Sequence, residues 1–262
     1  MLNLDKTSYG TGITTIWLER TEARNAFDLA LIRQIRDAFR TLNGDASIRG
    51  VVLATRGTHF SAGADIKWMR AAAAATADVN RAEALEMAEM FRAISDCEKA
   101  TCARVQGDAH GGALGLIAAC DTAIAAPGAW FSFSEVKVGL VPAILSAFAA
   151  PKIGFSAARS LFTTGRRFDA DEALRIGLIH QVVLSDTLDQ WVAAWAKDVI
   201  AAAPHAVATA KRLTRPFDAD TLTQRLAELA DLIARTRASD EGREGLSAFL
   251  EKRRPNWSPR GA

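Results

Sequence analysis

The sequence predicts an α/β fold, and three observations carry that expectation. Short apolar, strand-like runs alternate with helix-period stretches as far as about residue 184. The runs at residues 50–54 and 121–126 read as buried strands by their pattern. From Pro204 onward only helical patterns remain, and no strict internal repeat is visible.

In chain order, residues 2–8 and 13–18 flank Tyr9-Gly10-Thr11-Gly12 and read as a hairpin. Asp28 is placed to cap a helix whose Leu31, Ile32, Ile35, Phe39 and Leu42 follow the 3.6-residue period, with Asn43-Gly44 ending it. Strand 50–54 leads into a turn crowded with small residues, Ser61-Ala62-Gly63-Ala64, where backbone N–H groups are able to face a ligand. His59, just before it, reads as structural. Residues 71–77 are alanine-rich and read either as helix or as a mobile lid. A long helix is expected over 81–98, with Met87, Met90 and Phe91 in the core. Strand 101–105 is broken by Gln106-Gly107-Asp108. His110-Gly111-Gly112 then opens an apolar helix over 113–119, and strand 121–126 follows. Residues 168–178 read as a capped helix stopped by Gly177, followed by strand 179–184. Leu188, Trp191, Val192, Trp195 and Val199 make one apolar stripe; Leu222, Leu226, Leu229 and Ile233 make another. A boundary near Ala203-Pro204 divides a 1–203 core from a helical 204–262 region, which is too small to fold alone and is expected to pack on the core or on another subunit.

Composition narrows the function classes. The chain has 262 residues, 49% hydrophobic and 24% charged, enough for a substantial buried core. A net charge of +2 argues against nucleic acid as a partner, and the basic stretch at residues 252–260 reads as a solvated tail. Cys97, Cys102 and Cys120 are odd in number and lack metal-ligand spacing, so buried thiols are expected, with no metal site. The start MLNLDKTSYG lacks a basic stretch followed by an apolar run, and no window is long enough to span a bilayer. A soluble cytoplasmic protein without membrane partners is expected.

The chemistry concentrates in residues 101–139. Two adjacent glycines at a helix start let the backbone approach a ligand, and the free N–H groups there suit an oxygen gaining negative charge. An isolated Gly-Gly is more often just a tight turn. Glu135 shifts the balance, because a carboxylate set among Trp130, Phe131, Phe133 and Val136 is a candidate for desolvation and for general acid/base work.

These stretches resemble the crotonase family, the enoyl-CoA hydratase/isomerases. The resemblance is carried by Phe60-Ser61-Ala62-Gly63-Ala64-Asp65-Ile66-Lys67, by residues 106–121, by Ser134-Glu135-Val136-Lys137-Val138-Gly139-Leu140 and by residues 168–183. It implies a spiral core of ββα turns, a C-terminal helical trimerisation region, and a homotrimer or hexamer. It implies an acyl-CoA thioester whose carbonyl oxygen is held by the backbone N–H groups of Ala64 and Gly112, with Glu135 moving protons. CoA itself is part of the substrate, and no metal or redox cofactor is required. The contacts to CoA carried over are Ala23, Arg24, Ala62, Ile66 and Lys67, with Phe249 and Lys252 reaching the nucleotide from a neighbouring subunit. Two-glutamate hydratases of the family place a second carboxylate where this chain has Gly115, which is expected to leave space for water beside Glu135. Asp108 and His110 are further water-holding candidates, though a turn aspartate and a satisfied histidine are the plainer readings. The run Gly111-Gly112-Ala113-Leu114-Gly115-Leu116 is most similar to the methylglutaconyl-CoA or carboxygeranoyl-CoA hydratase branch. The expected activity is hydration of a 2-enoyl-CoA; the alternatives are Δ3,Δ2-enoyl-CoA isomerisation and a catalytically silent acyl-CoA-binding protein.

Overall fold

The computed structural model describes residues 2–214, 235 and 239–257. The N-terminal hairpin forms as expected, with β1 (Leu2–Asp5) antiparallel to β2 (Ile13–Leu18). Helix α1 (Leu29–Gly44) starts at Asp28, whose carboxylate accepts from Leu31 N. β3 (Gly50–Thr55), β4 (His59–Ser61), α2 (Ile66–Ala74) and α3 (Ala77–Ser95) follow. Next come β5 (Ala100–Val105), β6 (Asp108–His110) and α4 (Ala113–Ala119). β7 (Thr122–Ala125), β8 (Trp130–Ser132), α5 (Ala143–Ile153) and α6 (Phe155–Thr164) continue the alternation. β9 (Phe168–Asp169), α7 (Ala170–Arg175), β10 (Gln181–Val182), α8 (Leu188–Ala201), α9 (Pro204–Leu213) and α10 (Asp240–Leu250) complete the described chain.

The strands form two sheets. One has the order β1-β2-β3-β5-β7-β10 and the other β4-β6-β8-β9. Each of the successive pairs β3/β4, β5/β6 and β7/β8 sends its first strand to the larger sheet and its second to the smaller. Helical segments then carry the chain across to the next parallel strand, as parallel pairing requires. Repetition of that step winds the chain into a spiral of ββα turns.

The middle of the larger sheet is covered on both faces, and β3 is accordingly apolar and buried along its length. In β3, Val51 and Leu53 join the main core with α1, α3, α4 and α5, while Val52 and Ala54 point the other way. That second face meets Leu188, Val192 and Ala196 of α8. Trp195 and Val199 pack there too, whereas Trp191 sits at the rim, 44% exposed.

Several boundaries differ from the sequence reading. The alanine-rich stretch is helical through Ala74 and then breaks, with Thr76 capping α3, so α3 begins earlier and ends earlier than residues 81–98. The strands β4, β6 and β8 were not anticipated; three residues are too few to show a period. Residues 168–178 hold a short strand before the helix, capped by Asp169 and followed by Gly177 at φ +82. α9 begins at Pro204, where the boundary was drawn. The stripe of Leu222, Leu226, Leu229 and Ile233 lies outside the described residues. All three cysteines are buried free thiols. Among the described residues no helix is long and apolar enough to cross a membrane.

Candidate active site

Two glycine turns, one after β4 and one after β6, pack directly on each other. Gly63 has φ +88, and a Cβ there would lie 2.6 Å from His110 O and 3.6 Å from Gly112 N. Gly111 has φ +55, so both turns use backbone that other residues rarely adopt. At Gly112 the constraint is space, since a Cβ would sit 2.7 Å from Cζ of the fully buried Phe27.

Hydrogen bonding then leaves two donors unused. Phe27 N donates to Gly63 O and Asp65 N donates to Phe27 O, a parallel bridge in which Ala64 is flanked but its own N–H is not consumed. Gly111 N donates to Ser132 O, and Gly112 stands at the start of α4, where an N–H has no partner one turn back. Among the hydrogen bonds of the described residues, neither Ala64 N nor Gly112 N has an acceptor. The pair can therefore hold an oxygen that gains charge.

Glu135 opens a 3₁₀ turn just after β8 and lies over the same place; a Cβ on Gly111 would be 3.5 Å from its Oε1. Its Oε2 is buried with no hydrogen-bond partner. Burial raises its pKa above the ordinary carboxylate value. Among the described residues no cation is placed against it to hold the proton off, so Glu135 has the environment of a group that exchanges one.

The turn before Ala64 is braced by residues the sequence reading missed. Asn25, 1% exposed and at φ +54, donates from its amide to Arg56 O and His59 O and accepts from Arg20 N. Ser61 donates to Asn25 O and accepts from Gly63 N. Arg20 bridges Asp28 and Asp65, the caps of α1 and α2, at 3.1 Å each. The available signal was a polar residue, Asn25, between a turn and an apolar run, which is a common way to occupy left-handed backbone.

This bracing also assembles most of the positions that the resemblance assigns to CoA. Ala62 N donates to Arg24 O, so the 20–27 loop and the 61–67 turn lie side by side. Ala23 is half-buried there, and Arg24, Ala62, Ile66 and Lys67 are exposed. Beside them opens a cavity of about 240 Å³ lined by Thr21, Glu22, Arg24, Asn25, Thr58 and His59. A cavity of about 510 Å³ on the other side of Arg56 is less suited to a charged ligand, because Arg104 there is already paired with Asp189. Lys252 is exposed at φ +54 just past α10, a segment that packs on α8 and α9, with Trp257 Nε1 donating to Ala201 O and Glu241 accepting from His205 N. Among the described residues, the segment's hydrogen bonds to the rest of the chain run to Ala201, His205 and Ala206 rather than to the Arg24–Lys67 side. The side chain of Phe249 lies outside the described residues.

Asp108 and His110 have the plainer identities. Asp108 pairs with Arg167 at 3.0 Å and accepts from Trp130 N, and His110 Nδ1 is 2.8 Å from Ser132 Oγ. Burial lowers the His110 pKa, against the opposing pull of Asp108. His59 is hydrogen-bonded to Thr58.

One expectation is overturned. Gly115 leaves no space for water in the direction of its missing side chain, because the Phe91 ring fills it: a Cβ would lie 2.5, 2.8 and 2.9 Å from three ring carbons. α4 is buried at every residue, and Phe91 comes from α3 packed across it.

The chain is thus a spiral of ββα turns that sets two free backbone donors beside a buried carboxylate, an arrangement able to hold an oxygen gaining charge next to a group able to exchange a proton. Residues 8–260 match the family described as enoyl-CoA hydratase/isomerase. The chain is 32% identical over 247 residues to a putative enoyl-CoA hydratase of Thermus thermophilus, covering 94% of this chain and 97% of that one. It is 31% identical over 251 residues to the crotonyl-CoA hydratase of Syntrophomonas wolfei, with 94% of each covered. A crystal structure of a putative enoyl-CoA hydratase/isomerase (crotonase) from Legionella pneumophila superposes with a TM-score of 0.89 at 38% identity, covering 98% of both chains. The chain belongs to the enoyl-CoA hydratase/isomerase family, and its fold is the crotonase fold.

Proposed function

We propose that this protein hydrates the double bond of a 2-enoyl-CoA, and that Glu135 is its single proton-transfer group. The observation that carries the reading is the buried, unpartnered Oε2 of Glu135 beside the Gly111-Gly112 turn. The thioester oxygen accepts from Ala64 N and Gly112 N. Glu135 takes a proton from water as the water oxygen bonds to the β-carbon, and the displaced C=C electrons move onto the thioester oxygen as an enolate. The α-carbon then takes a proton on the same face, from Glu135 or through water, and the enolate collapses to the 3-hydroxyacyl thioester. Each backbone donor contributes about 3–4 kcal/mol to lowering the barrier. CoA is held along Ala23, Arg24, Ala62, Ile66 and Lys67, and Phe249 and Lys252 reach it from another subunit of a trimer or hexamer. The C-terminal segment's packing on α8 and α9, away from Arg24, supports that division of labour.

Phe91 favours a second reading. With an aromatic ring against Gly115, the site offers one carboxylate, and one carboxylate suffices to carry a proton between the α- and γ-carbons of a 3-enoyl-CoA without adding water. The acyl group is proposed to be branched or carboxylated, of the methylglutaconyl type, on the similarity of the residue 111–116 run.

Incubation with straight, branched and carboxylated 2-enoyl-CoAs in ¹⁸O-water, followed by mass spectrometry, tests the reading. A labelled 3-hydroxyacyl-CoA is expected, and Glu135→Gln should lose it. Interconversion of 3-enoyl and 2-enoyl thioesters without label uptake would replace the hydratase with the isomerase. No change in any thioester despite binding would leave an acyl-CoA-binding protein.

A further inference from the structure

A half-buried lysine ammonium lies at the far end of the helix that starts at Gly112. Lys152, in the last turn of α5, has its Nζ 2.6 Å from Cys120 O, 3.3 Å from Ile117 O and 3.5 Å from Ala118 O. These carbonyls close α4: Ile117 O also accepts from Cys120 N, and a helix leaves its last carbonyls short of partners of its own. Every residue of α4 is buried, so the carbonyls have been taken out of bulk water and the lysine answers them. Burial lowers the Lys152 pKa, while the negative charge of the Asp121 carboxylate acts in the opposite sense. The thiols themselves are pushed up by burial, Cys120 to about 12, and stay neutral.

We propose that Lys152 is a positioning residue for catalysis, fixing the C-terminal end of α4 and cancelling its negative pole so that the positive pole at Gly112 acts unopposed on the thioester oxygen. The inference rests on the enolate reading above. Peptide dipoles leave about half a negative charge at a helix C-terminus, and an ammonium there removes it. Seven residues rise about 10 Å, which puts the ammonium about 12 Å from Gly112 N. At an effective dielectric of about 20, a unit charge at that distance changes the energy of a full oxyanion by about 1.4 kcal/mol, equivalent to about tenfold in rate. Since the oxyanion carries less than a full charge, a three- to tenfold effect is expected.

The test uses the full-length protein, with Lys152→Met and Lys152→Arg compared for turnover of a 2-enoyl-CoA and for binding of butyryl-CoA, which has no double bond to react. Lys152→Met should lower kcat three- to tenfold per folded subunit while KM and butyryl-CoA affinity stay within twofold, and Lys152→Arg should restore most of kcat. An unchanged kcat per folded subunit, with only the melting temperature reduced, overturns the proposal. If the methionine variant does not fold, pH decides: wild-type kcat should fall at alkaline pH as Lys152 loses its proton, and Lys152→Arg should not. Cys102, Cys120, Asp121, His180 and the Asp121 partner Lys211 surround the ammonium in both proteins, so they cannot produce the difference. Coincident profiles overturn the proposal. A wild-type protein that binds butyryl-CoA but turns over no enoyl-CoA defeats the enolate reading itself, a different outcome from a fully active Lys152→Met.

Discussion

Gly115→Ala is the sharpest probe of how the site is closed. Inside a helix, alanine is intrinsically better than glycine by roughly 0.5–1 kcal/mol. Here the new methyl would enter at 2.5 Å from Cζ of Phe91, and contacts of 2.8 and 2.9 Å to the two Cε atoms leave the ring no tilt that relieves all three. Phe91 is fully buried and set edge-on to Phe148 at 5.6 Å between centroids, so it has a neighbour to displace as well. Overpacking of this kind costs about 1–3 kcal/mol, which outweighs the helix gain and predicts a net loss of about 1–2 kcal/mol. Phe91→Ala alone should cost about 3–5 kcal/mol by opening a cavity. In that background the Gly115 methyl has room, and the same substitution should become stabilising. Urea denaturation followed by far-UV circular dichroism, at one protein concentration for all four members of the cycle, reads a coupling of about 2–3 kcal/mol. A Gly115→Ala protein as stable as wild type, or additive effects, would refute the contact and reopen room for a polar group at this position.

Glu135→Gln should abolish turnover yet raise stability at neutral pH by on the order of 1 kcal/mol, since wild type buries an unsatisfied carboxylate oxygen. Because the folded pKa is raised, the penalty is full above it and vanishes below the ordinary value of 4.5, so melting curves of the two proteins should converge in acid. In activity, the same shift gives an acidic limb to kcat/KM, rising as Glu135 deprotonates. Gly112→Pro should cost about 100- to 1000-fold in kcat. The backbone at φ −54 accepts proline, but the ring would strike Phe27 at 2.7 Å, so the variant is compared with Gly112→Pro/Phe27→Leu and with Phe27→Leu alone; His110→Ala should keep turnover within about tenfold. Lys67→Ala and Lys252→Ala should raise KM for acyl-CoA about three- to tenfold with little change in kcat, and the effect should disappear with a pantetheine thioester; equal losses on both substrates would remove these lysines from the nucleotide.

Much of the fold was legible because it is written in local preferences. The α1 period and its Asp28 cap, the Asp169 cap, and Gly177 at the end of the following helix each follow from a few adjacent residues. The apolar run of β3 announced a strand buried on both faces. The turn of the candidate site was legible for the same reason, since Gly111-Gly112 before an apolar helix and Glu135 among aromatic residues are local features. Strands of three residues were not, because β4, β6 and β8 are defined by their partners rather than by a repeating pattern.

By itself, the sequence determined the α/β alternation, the turn that leaves Gly112 N free, and the carboxylate suited to move a proton. Tertiary structure alone decided what meets them. It laid the 20–27 loop along the 61–67 turn through Arg24 O and Phe27, leaving Ala64 N unpaired, and it set Phe91 against Gly115 where space for water had been expected. The reason is physical: periodicity and caps record what a residue asks of its own backbone and solvent, whereas these contacts join segments brought together only by the crossovers of the spiral. Within one helix a glycine reads the same whether a void or a buried ring faces it.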